Sequence, residues 1–441
     1  MENTTNAVQS GSAKKWGPVQ LLPNVKPSNM TVYVLGAMFA MLLSTFVPQA
    51  QPFILTEIMH IPASQQGVLT GYLGLAATIV GLIVPGIWGT LSDKAGRRIV
   101  YAIGLIISAL GIILYPLAGT LIGLYLCRSL FSAGSNASQT MSTALLGDYV
   151  DNKDRGKAYG MVSMSSGIGA LLTVFIFLKL PNIFMNAGLS SALAARYTYW
   201  IVALVGLAAM MMILTGLLGK TKSQNEEKRG ILQLDKEALQ AAKSDPVISL
   251  AYGVTFAATG AITVIGTFFT LWMQTYGTTV AGLSSAEALA KAGMIMGITQ
   301  VMGLISSPIF GILSDKMPRV LSVVLTAGLT VLAYSATLFI SNPLGIGMIL
   351  LGLFLGFVQI SGVITGGALI AQQTPDAVRG SVMGFYYFCA ALGTMLASVL
   401  GGFLFDKWIP QGPFVLSAVL SLVVVLWGLM VYTKTRKVSE K

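Results

Sequence analysis

One cation and two stripes of small polar side chains carry most of the chemistry available to this chain. Arg128 sits inside a long apolar run, and Ser132, Ser135, Gln139 and Ser142 follow it at +4, +7, +11 and +14. At 100° per residue these side chains point within about 40° of one direction, so a helix here has a single polar face. Lipid does not face such a stripe; a wet cavity or a partner helix does. An arginine at membrane depth costs about 2.5–3.5 kcal/mol on insertion scales and needs a partner or water. Gln49 and Gln51, near the outer end of the first apolar run, reach a similar depth. Two readings of Arg128 follow, and the residues alone leave both open. It anchors a carboxylate or other anion of a solute, or it bonds to carbonyls or Gln49 and holds its helix in place.

The second stripe is Thr255, Thr259, Thr263, Thr267, Thr270 and Gln274, over an arc of about 120°. As a whole it reads as cavity lining, although single threonines often bond to their own i−4 carbonyl. Asn136, Gln300, Gln359, Tyr386 and Tyr387 complete the uncharged polar candidates. Carboxylates are confined to the run ends: Asp93, Asp148, Asp315, Asp406 and Glu57, with His60 close by. Proton relays in membranes usually use an intramembrane acid, so an obvious proton-coupling site is missing. Glu57 or His60 could still titrate from the outer side. No nucleophile–base pair, metal-ligand cluster or phosphate loop is present, so neither an enzyme nor a cofactor is expected. Cys127 and Cys389 read as small buried hydrophobes.

The elements that must position these residues follow from composition. Of 441 residues 54% are hydrophobic and 10% charged, against about 25% charged in a soluble domain. Disorder is thereby excluded, and the composition argues against a water-soluble enzyme of this length. Twelve apolar runs lie near 31–56, 65–89, 98–118, 120–147, 157–180, 197–219, 247–274, 288–313, 319–340, 344–372, 378–404 and 411–433. Each approaches or exceeds the ~20 residues that cross a bilayer as a helix, and they are too long for barrel strands. The expected fold is an all-α polytopic membrane protein with two bundles of six helices, 31–219 and 247–433. Residues 1–30 read as a polar cytoplasmic tail, 220–246 as a cytoplasmic linker with a short amphipathic helix around Leu232–Ala242, and 434–441 as a second tail. Of the 27 Lys and Arg, 22 fall on the side that holds both tails and the linker. The positive-inside rule then places both termini in the cytoplasm. That asymmetry also accounts for the net charge of +11 without nucleic acid as a partner.

The two halves repeat. Gly89-Thr-Leu91-Ser92-Asp93-Lys94-Ala-Gly96-Arg97-Arg98 recurs 222 residues later as Gly311-Ile-Leu313-Ser314-Asp315-Lys316-Met-Pro318-Arg319-Val320. Arg155, Gly156, Gly160 and Gly169 recur at an offset of 224 as Arg379, Gly380, Gly384 and Gly393. Two decorated motifs at nearly one offset imply a duplicated six-helix unit. Gly89–Arg98 resembles the loop 2–3 motif of the major facilitator superfamily at almost every position, and Arg128, Ser132 and Gly134 resemble its fourth-helix motif. The resemblance covers essentially the whole chain. It implies a monomeric secondary transporter of a small solute in the inner membrane, two halves rocking around a central cavity, and a coupling ion, proton or sodium.

In that setting Gly89, Asp93, Arg97, Arg98, Asp148, Arg155, Gly311, Asp315, Arg319 and Arg379 form a cytoplasmic gate. Asp93 is suited to the N-terminus of the eleventh helix near Val378–Gly380, where the dipole favours an anion. Arg97 is placed to reach Asp148. The second copy is degraded: position 372, which matches Asp148, is Gln372, so Arg319 has a neutral partner at best. The expected substrate site comprises Arg128, Gln49, Gln51, Ser132, Ser135, Asn136, Gln139, Thr259, Thr263, Gln300, Gln359 and Tyr386. An organic anion is favoured because the one intramembrane charge is positive. The alternatives are a multidrug antiporter, against which the fifth run lacks the Gly-Pro pair of such exporters, and a transporter-fold sensor without flux.

Overall fold

Each apolar run forms a helix, because a segment that crosses hydrocarbon must satisfy its backbone internally. The computed structural model describes residues 14–219, 239–243, 245–374 and 378–439. Among the described residues eleven helices are long and apolar enough to cross a bilayer. They are α1 Pro27–Glu57, α2 Ala63–Ala95, α3 Arg97–Leu117, α5 Arg155–Asn186, α6 Ser191–Gly216, α7 Pro246–Thr279, α8 Ser285–Lys316, α9 Arg319–Phe339, α10 Ile346–Gln373, α11 Arg379–Lys407 and α12 Gly412–Lys434. The twelfth, α4 Leu121–Tyr149, has 29 residues; the polar face led by Arg128 lowers its hydropathy. Most of the expected linker lies outside the described residues, as does most of the amphipathic helix placed at Leu232–Ala242.

The duplication is visible in the packing. In the first half α1 lies against α5, α2 against α4 and α3 against α6; in the second, α7 lies against α11, α8 against α10 and α9 against α12. Repeated glycines sit at these crossings. A Cβ on Gly169 would lie 2.0 Å from the Met38 carbonyl oxygen, and one on Gly393 would lie 2.0 Å from that of Phe256. Only glycine lets α5 touch α1, and α11 touch α7, backbone to backbone. Around the first crossing Ser165 donates to the Val34 carbonyl at 2.9 Å and Thr173 to that of Leu42 at 3.0 Å.

An even number of spans returns the chain to the face from which it started, here called the terminal face. The bundles meet on the opposite, far face. Gly71 approaches the Ser398 carbonyl so closely that a Cβ would lie 2.3 Å from its oxygen, and a Cβ on Gly293 would lie 3.0 Å from the Val174 oxygen. These two contacts are repeat partners, since 71 and 293 differ by 222 and 174 and 398 by 224. On the terminal face Gly86, Gly89, Gly156, Gly160, Gly311, Gly380 and Gly384 have no neighbour within 4 Å of a Cβ position. The bundles are therefore closed on the far face and parted on the terminal face. A π turn at Ile265–Phe269 interrupts α7 where it meets α1, α2 and α11; such turns commonly mark functional helices.

Residues 14–26 depart from the expected solvated tail, and α1 begins at Pro27 rather than near 31. Strands β1 (Lys15–Trp16) and β2 (Val19–Gln20) form a hairpin. Val19, Leu21 and Val25 are buried. The Leu22 N–H donates to the Tyr149 carbonyl at 3.0 Å, the Gln20 N–H to Asp154 at 2.9 Å, and Trp16 Nε1 to Thr31 at 2.9 Å. Three apolar side chains in a polar stretch were too few to register as a periodic pattern, yet they strap the chain to the α4–α5 loop.

Candidate functional site

The gate residues are held within their own bundles. Gly96, at φ 95°, turns the chain from α2 into α3, a conformation that L side chains rarely adopt. This places Arg97 at the start of α3, where Nε donates to Asp148 at 3.3 Å and Nη1 to Asp93 at 3.1 Å and to Ser92 Oγ. The expected Arg97–Asp148 pair is therefore present. In the second half Arg319 Nε donates to the neutral Gln372 Oε1 at 3.1 Å, but Arg319 is not limited to a neutral partner as expected: its Nη1 also pairs with Asp315, one helical turn away, at 3.0 Å. Arg155 donates to the Gly147 carbonyl at 3.1 Å and Arg379 to that of Ala371 at 3.5 Å, another pair related by 224. Arg98 reaches the Leu217 carbonyl at 3.4 Å.

Asp93 does not occupy the N-terminus of α11. With the terminal face parted its side chain is 46% exposed and turns back to Arg97, while Asp315 is 74% exposed. Gly89 and Gly311 face open space for the same reason.

Arg128 lies in the outer half of α4 and is 8% exposed. Its guanidinium is 5.7 Å from the Phe131 ring centroid, and Tyr115 and Tyr199 stand within electrostatic range, stacked on each other at 5.7 Å. Neither Nε nor Nη1 has a hydrogen-bond partner among the described residues, and the same holds for the buried Gln49 Oε1 and the Tyr199 hydroxyl. A buried donor left unpaired is costly, which makes this cluster one where an acceptor is needed. Ser132 and Ser135, about one and two turns along α4, are buried, whereas Gln139, about three turns nearer the terminal face than Arg128, is exposed.

Other candidates are placed differently from the expectation. Gln51 does not face a cavity: Nε2 donates to Thr70 at 3.0 Å and Oε1 accepts from the Tyr115 hydroxyl at 3.0 Å, tying α1 to α2 and α3. Gln49 and Gln51 differ because they point about 200° apart on a helix. The threonine stripe of α7 meets α11. Thr259 is 2.8 Å from the Ala390 carbonyl and Thr263 is 3.3 Å from Thr394, while Gln274 donates to Ser285 at 2.8 Å. Helical spacing identified the polar face but not the neighbour that covers it.

Asn136 and Gln359 emerge as a matched pair. A Cβ on Gly81 of α2 would lie 3.4 Å from the Asn136 amide, and one on Gly303 of α8 would lie 3.5 Å from Gln359 Oε1. The glycines are separated by 222 residues and the amides by 223. Gln359 Oε1 is buried without a partner among the described residues. Gln300 is half-buried and Tyr386 is buried against Gly366 of α10.

Two helical bundles of one architecture, joined on one face and parted on the other, define a membrane carrier of the two-domain transporter class. The profile of the Major Facilitator Superfamily matches residues 32–365 and 336–441, and the chain belongs to that superfamily. It is 25% identical over 409 residues to the magnetosome protein MamH of Paramagnetospirillum magneticum, covering 90% of this chain and 91% of that one. It is 24% identical over 400 residues to the multi-drug resistance efflux pump PmrA homolog of Lactococcus lactis, covering 87% and 90%. In three dimensions it is similar to the nucleoside transporter NupG, with a TM-score of 0.71 at 14% identity over 92% of this chain and 99% of that chain. At that identity the likeness shows the fold alone.

Proposed function

We propose that this protein is a secondary transporter that moves a small organic anion across the cytoplasmic membrane by rocker-switch alternating access. The positive-inside asymmetry puts the terminal face in the cytoplasm, so the far-closed arrangement is the inward-facing state. The observation that carries the substrate class is Arg128. Among the described residues it is the one buried charged side chain, and two of its guanidinium nitrogens lack a partner. A carboxylate or other anion entering from the cavity supplies the missing acceptors and offsets the cost of burying the charge. Gln49, Ser132, Ser135, Gln139 and the Asn136–Gln359 pair are the polar groups that orient the rest of the solute, with Gln300 and Tyr386 nearby. A coupling ion, proton or sodium, drives the cycle.

Thermal unfolding of wild type and Arg128→Ala against panels of acidic, neutral and cationic solutes tests this reading. A ligand at a hundredfold its Kd stabilises by about 2.7 kcal/mol. Acidic solutes alone should raise the midpoint of the wild type, and the folded variant should lose that shift. Equal shifts of both proteins by neutral or cationic solutes refute the anion assignment. The likeness to an efflux pump motivates a second reading, multidrug antiport; there Glu57→Gln or His60→Ala abolishes transport and Arg128 is dispensable.

A further inference from the structure

Asp406 stands apart from the gate residues that the repeat identifies. It lies in the last turn of α11 on the far face, and its carboxylate reaches across to the other bundle. Oδ1 accepts the Gly67 N–H at 2.9 Å and Oδ2 accepts the Val68 N–H at 2.7 Å. Both N–H groups belong to the second turn of α2. That helix starts at Pro62 and Ala63 with no side-chain cap and no acidic residue in its first turn. Its positive end thus receives its anion from the opposite bundle, a favourable placement.

The approach is as close as backbone allows. A Cβ on Gly67 would lie 2.5 Å from Asp406 Oδ1, and one on Gly402 would lie 2.3 Å from the Gly67 carbonyl oxygen. Lys407, next in sequence, is the charged neighbour of the carboxylate. The position related to Asp406 by the 224-residue repeat is Asn182, so the charge is present at one of the two bundle crossings only.

We propose that Asp406 is the far-face latch: it holds the inward-facing state closed, and it must leave α2 before the far face can open. The same two helices carry the opposite arrangement at their other ends. Asp93 ends α2 on the terminal face, and α11 begins there, at Val378, also without a side-chain cap or an acidic residue in its first turn. Each helix therefore carries a terminal aspartate suited to the start of the other. Rocking of rigid bundles engages one end as it separates the other, so the two latches exclude each other. Asp406 is a positioning residue for transport; it touches α2, not the solute. The inference uses the alternating-access part of the proposed function and is independent of the substrate.

Spin labels test it in a chain whose two cysteines are replaced by serine. Labels at Ile183 and Val280 report the far face, and labels at Lys153 and Lys316 report the terminal face. Asp406→Asn should shift the ratio of far-open to far-closed molecules upward by about tenfold, with the terminal-face distance shortening in step. Gly67→Ala, which wedges the same contact from α2 and leaves the carboxylate intact, should shift it the same way. Asp93→Asn should shift it in reverse. Unchanged distance distributions in both Asp406→Asn and Gly67→Ala overturn the latch. So does an Asp93→Asn shift in the same direction as Asp406→Asn. A parent that shows one distance on each face under every condition refutes alternating access itself, which separates that failure from failure of the latch.

Discussion

Replacing Gly169 by alanine is the sharpest test of how the bundles are built. The new methyl would sit 2.0 Å from the Met38 carbonyl oxygen, where ordinary contact begins at 3.4 Å. The α1 and α5 backbones must therefore separate by about 1.4 Å. That separation stretches three interhelical hydrogen bonds beyond useful range: Ser165 to Val34 at 2.9 Å, Thr173 to Leu42 at 3.0 Å, and Thr45 with Thr173 at 3.1 Å. Overpacking of this kind costs about 1–3 kcal/mol, and interhelical hydrogen bonds in membranes average about 0.6 kcal/mol each. The sum is about 3–5 kcal/mol. Gly393→Ala should cost a similar amount, because its methyl meets Phe256 at the same 2.0 Å. Gly160 and Gly384 provide the contrast. Nothing lies within 4 Å of either Cβ position, so alanine there leaves stability unchanged or raises it by up to about 1 kcal/mol through helix propensity. These glycines repeat in both halves without a steric need in this far-closed arrangement; under the proposed alternating access they belong to the surface that closes when the terminal face shuts. Gly160→Leu should thus unfold like wild type yet populate the terminal-closed state less. Detergent-denaturation midpoints and label distances across the terminal face measure the two effects separately. The reasoning fails if Gly160→Leu destabilises as much as Gly169→Ala, or if it leaves the terminal-closed population intact.

Further expectations concern the terminal face. Asp148→Asn should lower the unfolding free energy by about 1 kcal/mol, read as a lower midpoint, since Arg97 keeps Asp93 and Ser92 as partners; Gln372→Glu, by giving Arg319 a second carboxylate beside Asp315, should raise it by up to about the same amount. A fall in the midpoint with Gln372→Glu would contradict the proposed geometry. Asp154 is held below its ordinary pKa of 3.8 by the hydrogen bond from Lys157, the Gln20 N–H and the charge of Lys15. A depressed carboxylate stabilises above its unfolded pKa and loses that contribution as pH falls through the folded value. The N-terminal hairpin should therefore stay docked at neutral and mildly acidic pH and loosen only below pH 3.8. Asp154→Asn should loosen it at pH 7, read as faster tryptic cleavage after Lys14 and Lys15; unchanged cleavage argues against the strap.

Some of this architecture is local in origin and therefore legible in the chain. Backbone desolvation forces each apolar run into a helix whatever surrounds it, so the twelve spans and the two halves follow from hydropathy and the 222–224 residue offset. The pairing of Arg97 with Asp148, and of Arg319 with Gln372, follows as well, because each pair closes a short circuit within one bundle that the repeat displays twice. Helical spacing likewise fixes which residues share a face on α4 and on α7 as far as its π turn at Ile265–Phe269, beyond which Gln274 meets Ser285 of α8 and not α11.

Which neighbour covers that face is a tertiary matter. Gln51 turned out to tie three helices together, and Thr259 and Thr263 to lie against α11, because rotation about a helix axis gives a direction but not an occupant. Val19, Leu21 and Val25 join the hydrophobic core because residues 19–25 dock against the end of α4 and the α4–α5 loop, a contact that no local pattern announces. Asp406 looks in sequence like any acid at a helix end; its meaning comes from Gly67, 339 residues away, across the far-face contact between the two bundles. The choice of state, far face closed and terminal face parted, belongs to the packing of two rigid bundles and is written in no single segment of the chain.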